Sequence, residues 1–125
     1  MLQLVVTHTI SDQDVIDLMV TAIEGGINYW CPSIQVQSGT SNMEYFSERV
    51  GDIINKGGTI LLADDEDETH DLESYTWHEL TADKLRIGFQ KYLERKGSSV
   101  DPGDWDVEVA DVIIQLAIFG KIVYG

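Results

Sequence analysis

The side chains best able to do chemistry in this sequence are carboxylates, and the densest group is the run Asp64-Asp65-Glu66-Asp67-Glu68. Alternating oxygen ligands suit a hard cation such as calcium, but a calcium-binding helix-loop-helix needs glycine at loop position six and glutamate at position twelve. Counted from Asp64, those positions hold Thr69 and Tyr75. The run is therefore expected to be a solvated turn, because like charges at this density cannot pack. His8, His70 and His78 with Cys31 do not have zinc-ligand spacing, which pairs cysteines closely or sets two histidines one helical turn apart. Cys31 would need a base brought to it by the fold to act as a nucleophile, and reads instead as a small buried residue. No phosphate-cradling glycine loop, no Gly-x-Ser-x-Gly and no His-Glu-x-x-His is present. A catalytic set is not expected, and neither is a bound metal or cofactor. A small metal-dependent hydrolase, built from converging carboxylates and a histidine, is the least favoured alternative.

Two further groups of residues suit ligand binding. Five of the eight basic residues, Lys84, Arg86, Lys91, Arg95 and Lys96, fall within thirteen positions. At helical spacing Lys84, Lys91 and Arg95 align, with Gly88 leaving a gap between them for an anion. Tyr29 and Trp30 follow the pair Gly25-Gly26 directly. Glycines let the chain turn and approach a neighbour closely, and each aromatic joins a large apolar body to one polar tip. Tyr29 and Trp30 are candidates for a pocket wall, with Lys84, Lys91 and Arg95 for the anion contact. The plainer account of the basic stripe is a solvated helix face.

The whole chain limits these options. With 22 acids against 8 bases its formal charge is −14. Such a surface repels nucleic-acid backbones and anionic membranes, because affinity for polyphosphate depends on basic side chains displacing counterions. The same field attracts a basic protein, and Asp64, Asp65, Glu66, Asp67 and Glu68 are the candidates for that contact; solubility alone is the plainer account. A length of 125 residues is one domain with a sizeable core. A lone cysteine and the lack of a leader or a membrane-length apolar run suggest a cytoplasmic setting.

The elements that must position these residues follow from pattern. Leu2–Val6 is expected to be an edge strand. Ser11 with Asp14 caps a helix over about 12–24, which the two glycines end by adopting the left-handed conformation. A strand, or a bent pair of strands, follows over Ile27 to Val36. Ser41 with Glu44 caps a second helix over about 42–55, closed by Gly57-Gly58. Thr59–Ala63 is apolar enough for a central strand, and pairs as a hairpin with a strand over about 72–80. Thr81 caps a third helix over about 82–96. After the turn Asp101-Pro102-Gly103-Asp104, either Asp104 or Asp106 caps a fourth helix over about 106–119. That helix is apolar on most sides, so it is central or lies in an oligomer interface, and a symmetric homodimer is preferred. Gly120 stops it before a last strand over 121–124. The result is a single α+β domain with about four helices on a small mixed or antiparallel sheet.

The segments Glu24-Gly25-Gly26-Ile27-Asn28-Tyr29-Trp30, Gly57-Gly58-Thr59, Asp64-Asp65-Glu66-Asp67 and Ala110-Asp111-Val112-Ile113-Ile114-Gln115 through Phe119-Gly120-Lys121-Ile122-Val123-Tyr124-Gly125 resemble, in the same order, a group of small bacteriophage-encoded accessory proteins. The resemblance implies a phage origin and a host-cell cytoplasmic setting, and it supplies no residue roles. Proteins of this size and origin commonly bind and disable a host component. Two mechanisms fit: an acidic surface imitating phosphate charge on a basic host protein, or an oligomer that sequesters a nucleotide in an aromatic, locally basic pocket.

Overall fold

A computed structural model describes residues 9–65, 72–96 and 106–125. The expected strand at Leu2–Val6, His8, the acids Glu66, Asp67 and Glu68, His70 and the turn around Pro102 lie outside the described residues. Helix α1 spans Asp12–Thr21 and opens into a π-helical turn at Ala22–Gly26. Strand β1 is Ile34–Ser38, α2 is Phe46–Asn55 and β2 is Thr59–Asp64. A 3-10 turn at Leu72–Ser74 leads into β3, Thr76–Leu80, followed by α3, Ala82–Lys96, and α4, Val107–Phe119. The strands form one antiparallel sheet in the order β1-β2-β3. This is the expected compact α+β fold, with β2 central and, among the described residues, β1 at an edge; β1 begins at Ile34, and the strand expected from Ile27 is a corner up to Ser33.

Several elements start and stop where local chemistry dictates. The Ser11 side chain accepts from the Asp14 amide and Asp14 returns a bond to the Ser11 amide, a complete capping box. Thr81 Oγ1 accepts from the Lys84 amide at the start of α3, and Asp106 accepts from the Val109 amide at the start of α4. Gly120 ends α4 at φ 75°, a left-handed position that costs glycine little.

Three expectations are corrected. The Ser41–Glu44 box does not start α2: Ser41 Oγ accepts locally from Met43 N, and the helix begins only at Phe46. Arg49 holds the preceding turn by donating to the carbonyls of Met43 and Glu44 at 3.0 and 2.8 Å. Gly25 and Gly26 do not stop α1 by turning left-handed, since neither has a positive φ. Their role is close approach: a Cβ on Gly26 would sit 2.9 Å from the Val107 carbonyl oxygen, and one on Gly25 3.1 Å from Val107 Cγ1. The C-terminal residues 121–125 form no strand, and a side chain holds them instead.

The core lies between the helices and one face of the sheet. Ile60, Leu62 and Leu80 from the sheet meet Leu18, Met19, Val50, Ile54, Leu85, Ile113 and Ile114 from the helices. Of the two roles expected for α4 the structure shows the central one, with Ala110, Ile113, Ile114, Gln115, Leu116 and Ala117 buried. Gly88 is where α3 meets it: a Cβ there would lie 2.6 Å from the Ile113 carbonyl oxygen and 2.8 Å from Ala117 Cβ. The gap expected at Gly88 is therefore closed by α4. No described helix is long and apolar enough to cross a membrane.

Candidate functional site

Because the paired glycines let the start of α4 press against the π turn, the next turn of α4 brings Asp111 to the corner that follows. That corner is fixed by two backbone bonds, from the amides of Trp30 and Cys31 to the Ile27 carbonyl. Tyr29 Oη donates to Asp111 Oδ2 at 2.6 Å, and Trp30 Nε1 donates to Oδ1 at 2.8 Å. Gln115, one helical turn on, donates its Nε2 to the same Oδ1 at 2.8 Å. The three donors converge on one carboxylate, and bonds to an ionised acceptor are stronger than neutral ones. Partial burial, and after it the hydrogen bond and charge of Asp111, push the Tyr29 hydroxyl up to about 12.

Gln115 is fully buried and links this group to the chain's last residues. Its Oε1 accepts from the amides of Val123 and Tyr124, both at 2.8 Å, and its Nε2 donates to the Tyr124 carbonyl at 3.0 Å. One side-chain amide thus satisfies the backbone groups that a neighbouring strand would have satisfied. The Tyr124 ring stacks on Trp30 with centroids 5.4 Å apart and planes 3° apart. Its hydroxyl donates to Asp64 Oδ2 at 2.9 Å. The other Asp64 oxygen lies 3.1 Å from His78 Nε2, and the His78 ring meets the Phe119 ring edge-on.

Asp64 is accordingly the largest departure from the sequence reading. The expected solvated acid ends β2 on its inner face, 6% exposed, while Asp65 is half-buried. A carboxylate beside an imidazole and a phenol is a combination found in proton-transfer sites. Here both its oxygens already have partners within the chain, which makes the arrangement a pin between β2, β3 and the C-terminal residues. Cys31 lies at the same end of the sheet, buried, with Sγ donating to the Ser33 carbonyl at 3.4 Å. Burial pushes its thiol up to about 12, so it is held protonated, the opposite of an activated nucleophile.

The aromatic and basic candidates are not brought together. Trp30 is buried and its ring is covered by Tyr124 and Phe119, whereas Tyr29 is 59% exposed. Lys84 Nζ donates to the Glu79 carbonyl and Lys91 Nζ to the Gly120 carbonyl, and Arg95 is exposed at the end of α3. Among the described residues no hydrogen bond or ring contact joins the two groups, and no cluster of three or more histidine, cysteine or acidic side chains converges to hold a metal.

A cavity of about 740 Å³ lies elsewhere, where the start of α1 and the end of α2 meet α3. Ile10, Val15, Ile54, Leu85 and Leu93 supply apolar lining, and Arg86 is the one basic residue among the described side chains around it. The volume falls in the range of small-molecule sites. Sequence reasoning missed it because its walls come from three helices, and it missed the Gln115 pin because a buried glutamine in an apolar helix has no distinguishing local pattern.

Comparison of the chain with protein-family models, with curated proteins and with solved structures gives no match.

Proposed function

We propose that the protein acts by binding and not by catalysis, offering an acidic surface to the basic patch of a partner protein in imitation of polyphosphate. The resemblance to phage accessory proteins sets this in a host cell's cytoplasm, in counter-defence or host takeover. One observation carries the reading: a charge of −14 combined with carboxylates exposed along connected elements. Asp12, Asp17 and Glu24 are exposed on α1 and the π turn, and Asp106 and Glu108 are exposed at the start of α4, which packs on that turn. With Asp64 facing inward, these acids extend the contact first assigned to 64–68. Opposed potentials steer encounter and fix orientation, and their effect fades as salt rises.

The test is recovery of a partner from host lysate, followed by its affinity for the purified chain across a salt series and in competition with duplex DNA. Affinity that falls steeply with salt, is displaced by DNA, and is lost on changing Asp12, Asp17, Glu24 and Glu108 to their amides supports the reading. Affinity indifferent to salt and DNA refutes it.

A second reading, sequestration of a small ligand, is favoured by the cavity beside α3. Its apolar lining and the adjacent Arg86 suit an amphipathic anion, a nucleotide included. Calorimetric titration with nucleotides decides it, with heat abolished by Arg86→Ala expected and no heat counting against it.

A further inference from the structure

We infer that the open edge of β1 is a docking surface for a second copy of this chain, the two β1 strands pairing antiparallel about a two-fold axis at Gln35. Three observations lead there.

The first is the charge pattern. Residues 31–43, Cys-Pro-Ser-Ile-Gln-Val-Gln-Ser-Gly-Thr-Ser-Asn-Met, contain no acidic, basic or histidine side chain, in a chain that is 24% charged. Most of them are exposed, so the neutrality is not a consequence of burial. Two molecules each carrying −14 repel over most of their surfaces. Screening at physiological salt acts over roughly 8 Å, so the charges nearest the contact decide whether two copies can touch. A neutral strip is where they can, whereas a basic partner would be drawn to the acids instead.

The second is the edge itself. Among the described residues β1 has a strand neighbour on one side only, β2. Edge strands are usually guarded by charged side chains or proline. Ile34, Gln35, Val36, Gln37 and Ser38 include neither. Among the described residues the opposite edge strand is β3, which carries Glu79 and His78.

The third is the register. Ile34 pairs with Leu62, Gln35 with Leu61 and Val36 with Ile60. The Ala63 amide donates to the Ser33 carbonyl at 3.0 Å, which makes Ser33 opposite Ala63 a hydrogen-bonded pair. Such pairs alternate along an antiparallel ladder, so Gln35 also turns its main-chain groups toward β2, and Ile34 and Val36 turn theirs to the open side. A two-fold axis at Gln35 sets Ile34 of one copy opposite Val36 of the other, each pair exchanging two bonds. Ile34 and Val36 lie on the same face as Leu62 and Ile60, the core face, and Val36 is 39% exposed there. Pairing brings the four apolar side chains together on that face and the two Gln35 amides together on the other. The irregularity between Val36 and Ser38 confines the pairing to this short stretch.

A strip this short implies weak association, on the order of micromolar to millimolar, as for interfaces below ~1,000 Å². The tests use the full chain. Sedimentation equilibrium should show a dimer that tightens as salt is raised, because salt screens the repulsion. Val36→Pro removes a donor that β2 does not use, and Gln35→Glu sets like charges opposite one another. Each should raise the dissociation constant at least about tenfold with an unchanged melting temperature and circular dichroism spectrum. Gln35→Cys should oxidise to a covalent dimer, since opposed residues in a non-hydrogen-bonded pair have Cα atoms about 4.5 Å apart, within disulfide range. Gln37→Cys, beyond the axis, should do so far more slowly. The inference is overturned by a monomer mass at roughly millimolar protein in high salt, by a dimer that neither Val36→Pro nor Gln35→Glu weakens, or by equal cross-linking at 35 and 37. None of these results touches the salt-weakened binding of a basic partner, which fails or stands by its own assay.

Discussion

Replacing Gln115 with methionine removes the pin that holds the end of the chain while keeping a side chain of similar length and volume, so the change isolates the polar atoms. Four short bonds are lost: two from the Val123 and Tyr124 amides, one to the Tyr124 carbonyl and one to Asp111. Each intramolecular bond contributes about 0.5–1.5 kcal/mol net, and unpaired buried groups cost more. The freed backbone groups reach water by detaching, which limits the loss to the lower half of the sum, about 2–4 kcal/mol. Detachment also unstacks Tyr124 from Trp30 and withdraws its hydroxyl from Asp64. For a chain of 125 residues this corresponds to a fall in melting temperature of roughly 8–15 °C. Urea unfolding gives the loss, and amide exchange at Val123 and Tyr124 locates it. Tyr124→Phe is the control: it removes one bond to Asp64 and leaves both amides protected. A loss under about 0.5 kcal/mol, or a larger loss with both amides in Gln115→Met still slow to exchange, refutes the assignment of Gln115 as the pin.

Gly88→Ala should destabilise the protein by about 2–4 kcal/mol in urea unfolding, because contacts of 2.6 and 2.8 Å with α4 outweigh the ~1 kcal/mol gain in helix propensity. Cys31 in the folded chain should resist alkylation at pH 8 and react at the rate of a free thiol once urea unfolds it; fast labelling of the native chain would contradict the burial that holds its thiol up near 12. Stability should also fall on the alkaline side. Cys31 is raised from 9.0, and Tyr29 from 10.0, to about 12, so between those limits the unfolded chain releases protons that the folded chain keeps. The stabilisation is complete below about pH 9 and lost toward pH 12. The urea midpoint followed over that interval checks the slope, and Tyr29→Phe should flatten its upper part.

The elements legible in the sequence were those set by local chemistry. Ser11 with Asp14, Thr81, Asp106 and Gly120 each act within one turn of backbone, and the apolar run at 59–63 marks a central strand wherever it falls. What the sequence could not reveal depends on distant partners. Ser41-Asn42-Met43-Glu44 has the spacing of a helix start, but Ser41 satisfies Met43 and Arg49 binds the carbonyls, so the competing local turn wins. Asp64 opens a run of acids, and only the arrival of His78 and Tyr124 explains its burial. Lys121–Tyr124 is β-prone, but a strand needs a neighbour, and Gln115 supplies the bonds in its place. Gly88 lies among basic residues and reads as a gap until α4 is seen filling it. The glycine pair before Tyr29 and Trp30 marks a corner of the chain, but what the two side chains meet there is set by another element. Their partner, Asp111, was one acid among 22, and nothing within the sequence distinguishes it.

Charge makes the two proposed contacts separable by one variable. The buried carboxylate of Asp64 and the half-buried one of Asp111 are met by phenol, indole, imidazole and amide groups, without recourse to lysine or arginine. Lys84 and Lys91 meanwhile cap backbone carbonyls. The exposed acids on α1 and at the start of α4 therefore keep their field, and that field acts in opposite senses on the two associations. It draws a basic partner and weakens as salt screens it; it holds copies of the chain apart, and screening brings their neutral β1 edges together. A salt series on the chain with its partner and on the chain alone should accordingly give slopes of opposite sign. A self-association that weakens as salt rises would remove the assignment of β1 to a second copy, and a partner affinity that does not fall with salt would remove that of the acids, each independently of the other.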